Sequence, residues 1–145
     1  PDTAVLALNQ PAPTFTANTL NGSSDSLANH SGEVILVNFW ATWCPPCKAE
    51  MPDLNAYYQA HRDEGFTILA VNAREGESLV RPFIDNNNLT FPILMDPSGQ
   101  IVNQYQIRSF PTSIIIDRSG VVRHIQVGII TPAQLEHIVT PLLQS

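Results

Sequence analysis

The chain has 145 residues, 43% of them hydrophobic, and a formal net charge of −6 at pH 7. This length fits one domain whose core needs no disulfide or metal for stability, and no apolar run approaches the about 20 residues that span a bilayer. The negative charge, with Lys48 as the only lysine, argues against binding to nucleic acids or to anionic membrane surfaces.

The N-terminal region is predicted to be an irregular leader followed by a β-hairpin. Residues 1–13 contain three prolines and no hydrophobic period, so we take 1–13 as the leader and 14–145 as one domain. The segment 14–20 has strand character and is followed by Asn21-Gly22, a strong signal for a hairpin turn. Because the chain starts at Pro1 and not at Met, we expect that an upstream signal peptide or membrane anchor was removed.

The two cysteines of the chain stand in a C-x-x-C motif after an apolar run. The run 34–40 is typical of a buried strand, and the prolines and helix formers after Cys44 predict a turn and a helix. This places Cys44 at a helix N-terminus, where free backbone N–H groups and the helix dipole favour a thiolate. Cys47 lies one turn further on, close enough for a disulfide. We therefore predict that Cys44 is the solvent-accessible attacking thiol and Cys47 the buried resolving thiol.

Zinc, haem and purely structural uses of the cysteine pair fit the sequence less well than redox chemistry does. A structural zinc site needs about four ligands, and the histidines show no ligand-like spacing. A covalent haem site requires a histidine after Cys47, where Lys48 stands. A structural disulfide gains little stability from so short a loop. A Cu(I)-binding module or copper-site assembly factor that uses the same two thiolates remains an alternative, because soft thiolates suit this ion.

The middle of the chain is predicted to alternate between helices and buried strands. A helix is predicted over 45–61, bent at Pro52, and a second buried strand follows over 66–72. A helix capped by Ser78 is predicted over 78–87. Its inward stripe is formed by Leu79, Val80, Phe83 and Ile84.

The last third is predicted to contain an edge strand, a hairpin and a final helix. Pro92 indicates that the strand around it lies near the edge of the sheet. A short helix over 101–105 precedes a hairpin of two strands, 112–116 and 121–127. The final helix starts near Thr131 and carries the apolar residues Leu135, Ile138, Val139 and Leu142.

The predicted order of elements, β-β-β-α-β-α-β-α-β-β-α, implies an α/β fold with a mixed central sheet and helices on both faces. Within it, the stretch Ile35–Lys48, which contains Trp43-Cys44-Pro45-Pro46-Cys47, resembles thioredoxin. The Cys47-x-x-Glu50-x-Pro52 pattern is similar to the membrane-anchored, extracytoplasmic branch typified by TlpA and ResA. The resemblance covers about residues 12–143. It includes the segments Ala12-Pro13-x-Phe15, Asn72…Glu75, Phe91-Pro92, Phe110-Pro111-Thr112 and Asp117–Gly120.

The resemblance implies a thioredoxin fold with an N-terminal hairpin extension and thiol–disulfide oxidoreductase activity. It implies a location outside the cytoplasm, a membrane anchor, and disulfides of exported proteins as substrates, as in cytochrome c maturation. An upstream membrane thiol donor would re-reduce the enzyme, no cofactor beyond the redox-active disulfide would be needed, and a monomer is expected. Peroxiredoxin activity is disfavoured, because Ala41 and Val37 stand where that family has its Thr or Ser and its Pro.

The resemblance also assigns residues around the cysteines. Pro111 corresponds to a cis-proline that faces them and would present the Phe110 backbone to a substrate segment. Trp43, Phe110 and the loop after Gly128 would line an apolar docking groove. Pro45 and Pro46 belong to the motif, and Pro45 removes a backbone N–H that could otherwise point towards the Cys44 sulfur.

Two acidic residues are candidates for accepting the proton of Cys47. Thioredoxin has an Asp at the position of Asn38, and an amide cannot take a proton. Glu75 matches an acidic residue of the ResA-like branch and follows the strand 66–72, whose carboxyl end lies at the same edge of the sheet as the cysteines. We therefore expect Glu75 to act on the cysteines. Glu50, one helical turn after Cys47, is the weaker candidate.

Overall fold

A computed structural model describes residues 4–145, so the first three residues of the predicted leader lie outside the described residues. The strands are β1 (Thr16–Thr19), β2 (Ser24–Ser26), β3 (Val34–Trp40), β4 (Phe66–Ala73), β5 (Ile93–Asp96), β6 (Thr112–Ile116) and β7 (Val122–Val127). The helices are α1 (Pro45–His61), α2 (Glu77–Asn86), α3 (Gln100–Gln104), α4 (Pro132–Ile138) and α5 (Thr140–Leu143). Short 3₁₀ turns cover Leu27–His30 and Arg62–Glu64.

The strands form one mixed sheet in the order β2-β1-β5-β4-β3-β6-β7. Strands β3, β4 and β5 run parallel to one another, and the other neighbours pair antiparallel. The hairpin of β1 and β2 turns at Asn21-Gly22, where Gly22 has a positive φ of 90° that suits glycine. The predicted mixed sheet and N-terminal hairpin are therefore confirmed.

Alternate residues of β3 pack on opposite faces of the sheet. Leu36 and Trp40 join a core cluster with α1, α2 and α4, while Val37 and Phe39 join a second cluster with α3 and the N-terminal segment. All seven residues of β3 are buried, as expected for a strand covered on both faces. The carboxyl end of β3, where the cysteine motif starts, is therefore held from both sides.

Strand β5 lies inside the sheet, so the predicted edge position is wrong. The N-terminal hairpin places β1 beside it, with Asn18 opposite Met95 and Thr19 opposite Leu94. Pro92 precedes the strand, and its carbonyl oxygen accepts a hydrogen bond from the N–H of Ala70 (3.0 Å). Because the proline stands just outside β5, its missing N–H does not interrupt the pairing of that strand.

Helix α2 starts earlier than predicted and buries a narrower stripe. Its N-cap is Gly76 rather than Ser78, with an extended backbone (φ −94°, ψ 170°). Val80 and Ile84, four residues apart, are buried, whereas Leu79 is 57% exposed. Adjacent residues point about 100° apart around a helix, so Leu79 cannot share the face of Val80 and Ile84.

The C-terminal helix is divided in two, where one continuous helix was predicted. Leu135 and Val139 are buried as expected, and the Val139 N–H still donates to the Leu135 carbonyl oxygen (2.8 Å). Pro141 lies in the first turn of α5. Because proline has no N–H to continue the ladder of α4, the chain starts a new helix there.

The described part of the predicted leader is attached to the sheet. The N–H groups of Asn9 and Ala12 donate to the carbonyl oxygens of Val122 (2.8 Å) and Gly120 (2.9 Å). In return, the Val122 N–H donates to the Gln10 carbonyl oxygen (2.9 Å). These bonds cover the start of the edge strand β7. None of the helices within residues 4–145 has the length and apolar character that crossing a membrane requires.

Candidate active site

Cys44 and Cys47 form a disulfide at the point where β3 passes into α1, with their Cα atoms 5.3 Å apart. Cys44 is the N-cap of α1, and its sulfur accepts a hydrogen bond from the Cys47 N–H (3.2 Å). Pro45 and Pro46 occupy the first two helical positions and have no N–H. The Cys47 N–H is therefore the first free donor of the helix, and it is directed at the Cys44 sulfur.

The two cysteines differ less in exposure than the sequence predicted. Cys44 is 3% exposed and Cys47 is 0% exposed, so the order is as expected but Cys44 is not an open side chain in the disulfide form. Both belong to the core cluster between the sheet and α1. The Cys44 sulfur lies over the first turn of α1, where it is bonded to Cys47 and accepts the Cys47 N–H.

An apolar surface lies next to the disulfide. Trp43 is 68% exposed, and its ring meets the half-buried Phe110 ring edge-on, with centroids 6.0 Å apart. The Phe110–Pro111 peptide bond is cis, as predicted. The Gly128 N–H donates to the Pro111 carbonyl oxygen (2.8 Å), which brings the loop with the exposed Ile129 to the same side. These are the residues that the sequence assigns to a docking groove, and their contact with a substrate stays a prediction.

Glu75 lies on the loop side of the motif. It is nearly buried, and both of its carboxylate oxygens accept hydrogen bonds. Oε1 accepts from the Thr42 N–H (2.8 Å) and from Asn72 Nδ2 (2.9 Å), and Oε2 accepts from the Thr42 hydroxyl (2.6 Å). No hydrogen bond links Glu75 to Cys44 or Cys47 in the part of the chain that the structure describes. Glu75 thus holds the segment that leads into Cys44, and its role as a proton acceptor stays a prediction.

Glu50 is the acid that the structure buries on the same helix as Cys47. The two residues are three positions apart, hence on one side of α1, and Glu50 is 1% exposed. Its Oε1 accepts from Asn38 Nδ2 (2.8 Å), and its Oε2 accepts from the Ile130 N–H (3.0 Å). Burial raises the pKa of Glu50 to about 7, although both hydrogen bonds act to lower it. A carboxyl group with such a pKa is suited to exchange protons near neutrality.

The sequence contained part of the signal for this arrangement. The spacing from Cys47 to Glu50 and the polar Asn38 in an otherwise apolar strand were both visible. The third partner was not, because Ile130 is 80 residues away from Glu50 in the chain. The position of Glu75 after a parallel strand predicts that it lies near the cysteines. This position does not determine which contacts its carboxylate makes.

The arrangement supports dithiol–disulfide exchange. One sulfur caps a helix beside an exposed apolar surface, and the other is buried with an acid one turn away. Such a cysteine pair at the carboxyl end of a parallel strand, in a chain with a cis-proline just before β6, defines a thioredoxin-fold thiol–disulfide oxidoreductase. No cluster of three or more His, Cys, Asp or Glu side chains that could hold a metal ion occurs within residues 4–145.

Comparison with known proteins assigns the family. The family model described as the AhpC/TSA family matches residues 8–125, and the chain belongs to this family. The thiol–disulfide oxidoreductase ResA of Geobacillus kaustophilus is 37% identical over 131 residues, 90% of this chain and 75% of that protein. The thioredoxin-like protein YneN of Bacillus subtilis is 42% identical over 130 residues, 88% of this chain and 75% of that protein.

Solved structures agree with this assignment. A thiol:disulfide interchange protein of Chlorobium tepidum has a TM-score of 0.86 and 31% identity, covering 95% of this chain and 99% of that one. StoA of Bacillus subtilis has a TM-score of 0.76 and 33% identity, covering 90% and 98%. The thioredoxin fold and the thiol–disulfide oxidoreductase class predicted from the sequence are confirmed.

The contacts of Glu75 predict a stability effect that depends on its oxygens rather than on its charge alone. Glu75→Ala leaves three donors without their acceptor, and each buried unsatisfied group costs about 1–3 kcal/mol, so we expect a loss of about 2–4 kcal/mol. Glu75→Gln keeps an oxygen for the N–H donors of Thr42 and Asn72, and its amide NH₂ can donate to the Thr42 hydroxyl oxygen in a reversed hydrogen bond, so the loss should be smaller. Urea unfolding measures both.

The matched control is Glu77→Ala, which removes an exposed carboxylate paired only with Arg81 and should cost at most about 0.5 kcal/mol. If Glu75→Ala left stability unchanged and slowed disulfide exchange, Glu75 would act on the cysteines and not on the Thr42 segment.

Proposed function

We propose that this protein reduces disulfides of exported proteins outside the cytoplasm, with cytochrome c maturation as one such process. The Cys44–Cys47 dithiol donates the two electrons, and an upstream membrane thiol donor restores it. The observation that carries the proposal is the buried Glu50, one helical turn from Cys47, with a pKa raised to about 7. The resemblance to the extracytoplasmic TlpA and ResA branch supports the location, the membrane anchor and the donor.

The first step is attack by Cys44 on a substrate disulfide. The thiolate of Cys44 bonds to one substrate sulfur, the substrate S–S bond breaks, and the second substrate sulfur leaves as a thiolate that takes a proton from water. The Cys47 N–H stabilises the Cys44 thiolate through the hydrogen bond that its sulfur accepts in the disulfide form (3.2 Å). Trp43 and Phe110 contact the apolar side chains that flank the substrate cysteine.

The second step is resolution by Cys47. Its thiol passes its proton to the Glu50 carboxylate, directly or through water, and the resulting thiolate attacks the Cys44 sulfur of the mixed disulfide. The Cys44–Cys47 disulfide forms, and the substrate leaves as a thiolate that is protonated from solvent. The substrate disulfide has gained two electrons and two protons, and the enzyme is oxidised. Burial of Cys47 makes an internal proton acceptor necessary, because an apolar setting disfavours the thiolate.

The surroundings of Cys44 favour a reductant over an oxidant. An oxidising dithiol owes its potential to strong stabilisation of its reduced form. Here the two prolines at the start of α1 withhold two N–H groups from the Cys44 sulfur, and the Cys47 N–H is its single backbone donor. A thiolate with fewer donors is less stabilised, so the disulfide is the more favoured form and the dithiol gives up its electrons readily.

Trapping experiments test the order of attack. In a Cys47→Ser variant, Cys44 should accumulate a stable mixed disulfide with a disulfide-containing peptide, because nothing resolves it. Cys44→Ser should accumulate none, because Cys47 is fully buried. Mass spectrometry under non-reducing conditions counts the adducts. Equal trapping by both variants would show that the two sulfurs share the attacking role.

The pH dependence of resolution tests Glu50. Only the carboxylate form accepts a proton, so the resolution rate should rise as the pH rises through about 7 and Glu50 becomes deprotonated. Glu50→Gln should slow resolution by about 100-fold, in line with the loss of a general base, and should remove this inflection. Rapid-mixing measurements of single turnovers follow the rate, and Glu75→Gln is the control that should keep the inflection. If Glu75→Gln removed the inflection and Glu50→Gln kept it, Glu75 would be the proton acceptor.

The reduction potential tests the direction of electron flow. We expect a value closer to the about −270 mV of thioredoxin than to the about −120 mV of a strong oxidant. Pro46→Ala adds an N–H in the first turn of α1 and should make the potential less negative by stabilising the Cys44 thiolate. Pro52→Ala, in the middle of the same helix, should leave it unchanged. Equilibration with thiol redox buffers measures all three proteins, and a wild-type value near that of the oxidant would refute the proposal.

A further inference from the structure

Asn38 lies at the centre of a buried polar group beneath the cysteines. Its side-chain nitrogen donates to Glu50 Oε1 (2.8 Å) and to the Ser113 hydroxyl (3.1 Å), so both N–H bonds of the amide are used. Asn38 and Ser113 stand opposite each other on β3 and β6, and both are 0% exposed. The amide oxygen of Asn38 has no hydrogen-bond partner in the described part of the chain.

This orientation of the amide suits the charged form of Glu50 better than the protonated form, because both carboxylate oxygens then accept. When Glu50 takes up a proton on Oε1, that atom becomes a donor and faces the Asn38 nitrogen, which is also a donor. The Ile130 N–H still needs Oε2 as its acceptor. Two buried donors would then oppose each other, an arrangement that native structures avoid.

A half-turn of the amide removes this conflict. The nitrogen and oxygen of an asparagine side chain exchange places when χ2 turns by half a revolution, and the shape of the group barely changes. The Asn38 oxygen would then accept from protonated Glu50 and from the Ser113 hydroxyl, which can donate as well as accept. Glu50, Asn38 and Ser113 thus stay hydrogen-bonded to one another in both protonation states of Glu50. The Asn38 NH₂ group then takes the place of the amide oxygen, which has no hydrogen-bond partner within the described residues.

We propose that Asn38 is a positioning residue that turns its side-chain amide with the protonation of Glu50, with the Ser113 hydroxyl reversing its hydrogen bond. This gives a buried acid a matching partner before and after it receives a proton. An Asp at this position would add a second acid beside Glu50 and could not donate in its charged form. With Asn38 in place of that Asp, the proton-accepting role falls to Glu50, and Asn38 serves as its adjustable partner.

Burial and the hydrogen bonds of this network, and not neighbouring charges, set the pKa of Glu50. On α1, the nearest titratable positions on the same side are Cys47, in the disulfide, and Tyr57, two turns further on, whose hydroxyl bonds Thr140. β3 and β6 contribute the neutral Asn38 and Ser113, and the loop before α4 contributes the Ile130 N–H. No charged side chain of the described residues is among the causes of the raised pKa of Glu50.

The inference rests on the proposed function, in which Glu50 accepts a proton during turnover. The turn of the amide itself can be observed in the disulfide form without turnover. In ¹⁵N-labelled protein, the Asn38 NH₂ protons should show nuclear Overhauser contacts to the Glu50 γ and Ser113 β protons above the Glu50 titration near 7. Below it, these contacts should be lost. The ¹³C shift of the Glu50 carboxyl carbon reports the titration in the same samples.

Glu50→Gln provides a fixed mimic of protonated Glu50. Its amide oxygen must accept from the Ile130 N–H, so its nitrogen faces Asn38, and the Asn38 contacts should match the low-pH wild-type pattern at every pH. Asn72, whose nitrogen donates to Glu75, is an internal control and should be unaffected by Glu50→Gln. The wild-type pH series needs no variant to fold.

Contacts of Asn38 that persist through the Glu50 titration would overturn the inference, and so would a Glu50→Gln protein with the high-pH pattern. If the amide turns as expected while Glu50→Gln resolves mixed disulfides at the wild-type rate, the inference stands and the proton-accepting role of Glu50 fails.

Discussion

The burial of one carboxyl group, that of Glu50, is the constraint on which the rest of the active site depends. A buried carboxyl group is tolerated only when its oxygens are hydrogen-bonded. Its partners come from β3 and from the loop that follows β7, while the group itself lies on α1. The acid is therefore satisfied only when α1 is docked on the sheet and the loop is closed over it. The same docking places Cys47 one turn away, so the packing that stabilises the fold also assembles the chemistry.

The chemical difference between the two cysteines follows from where α1 starts. Cys44 caps the helix and receives its first free N–H, while Cys47 is inside the first turn and faces the core. Two consecutive prolines at the start of the helix restrict that stabilisation to one backbone donor. The exposed Trp43 and the Phe110–Pro111 loop lie on the side of Cys44. The sulfur that we propose as the attacking one thus lies next to the exposed apolar surface, and the proposed resolving sulfur lies one turn from the acid.

Two acids flank the motif, and their surroundings separate their roles. Glu75 accepts two hydrogen bonds from Thr42 and one from Asn72, which ties the end of β3 to the end of β4. Glu50 accepts two hydrogen bonds and is almost completely buried. The first arrangement fixes a loop, and the second leaves an acid that can gain or lose a proton near neutrality. The position of Glu75 after a strand predicted it as the acid that acts on the cysteines, whereas the burial of Glu50 and its few partners support Glu50 in the proposed mechanism.

Local patterns in the sequence determined the element order, the helix over 45–61, the buried strands and the cysteine pair, because hydrophobic periodicity, prolines and the C-x-x-C spacing act over a few residues. Only the tertiary structure decided that β5 is interior, that Leu79 faces solvent and that Glu50 meets Ile130. Each of these depends on contacts with a segment far away in the chain: the N-terminal hairpin beside β5, the core that Val80 and Ile84 of α2 join, and the loop after β7. Pairing between distant segments leaves no local periodicity, so it becomes visible only when the chain is folded.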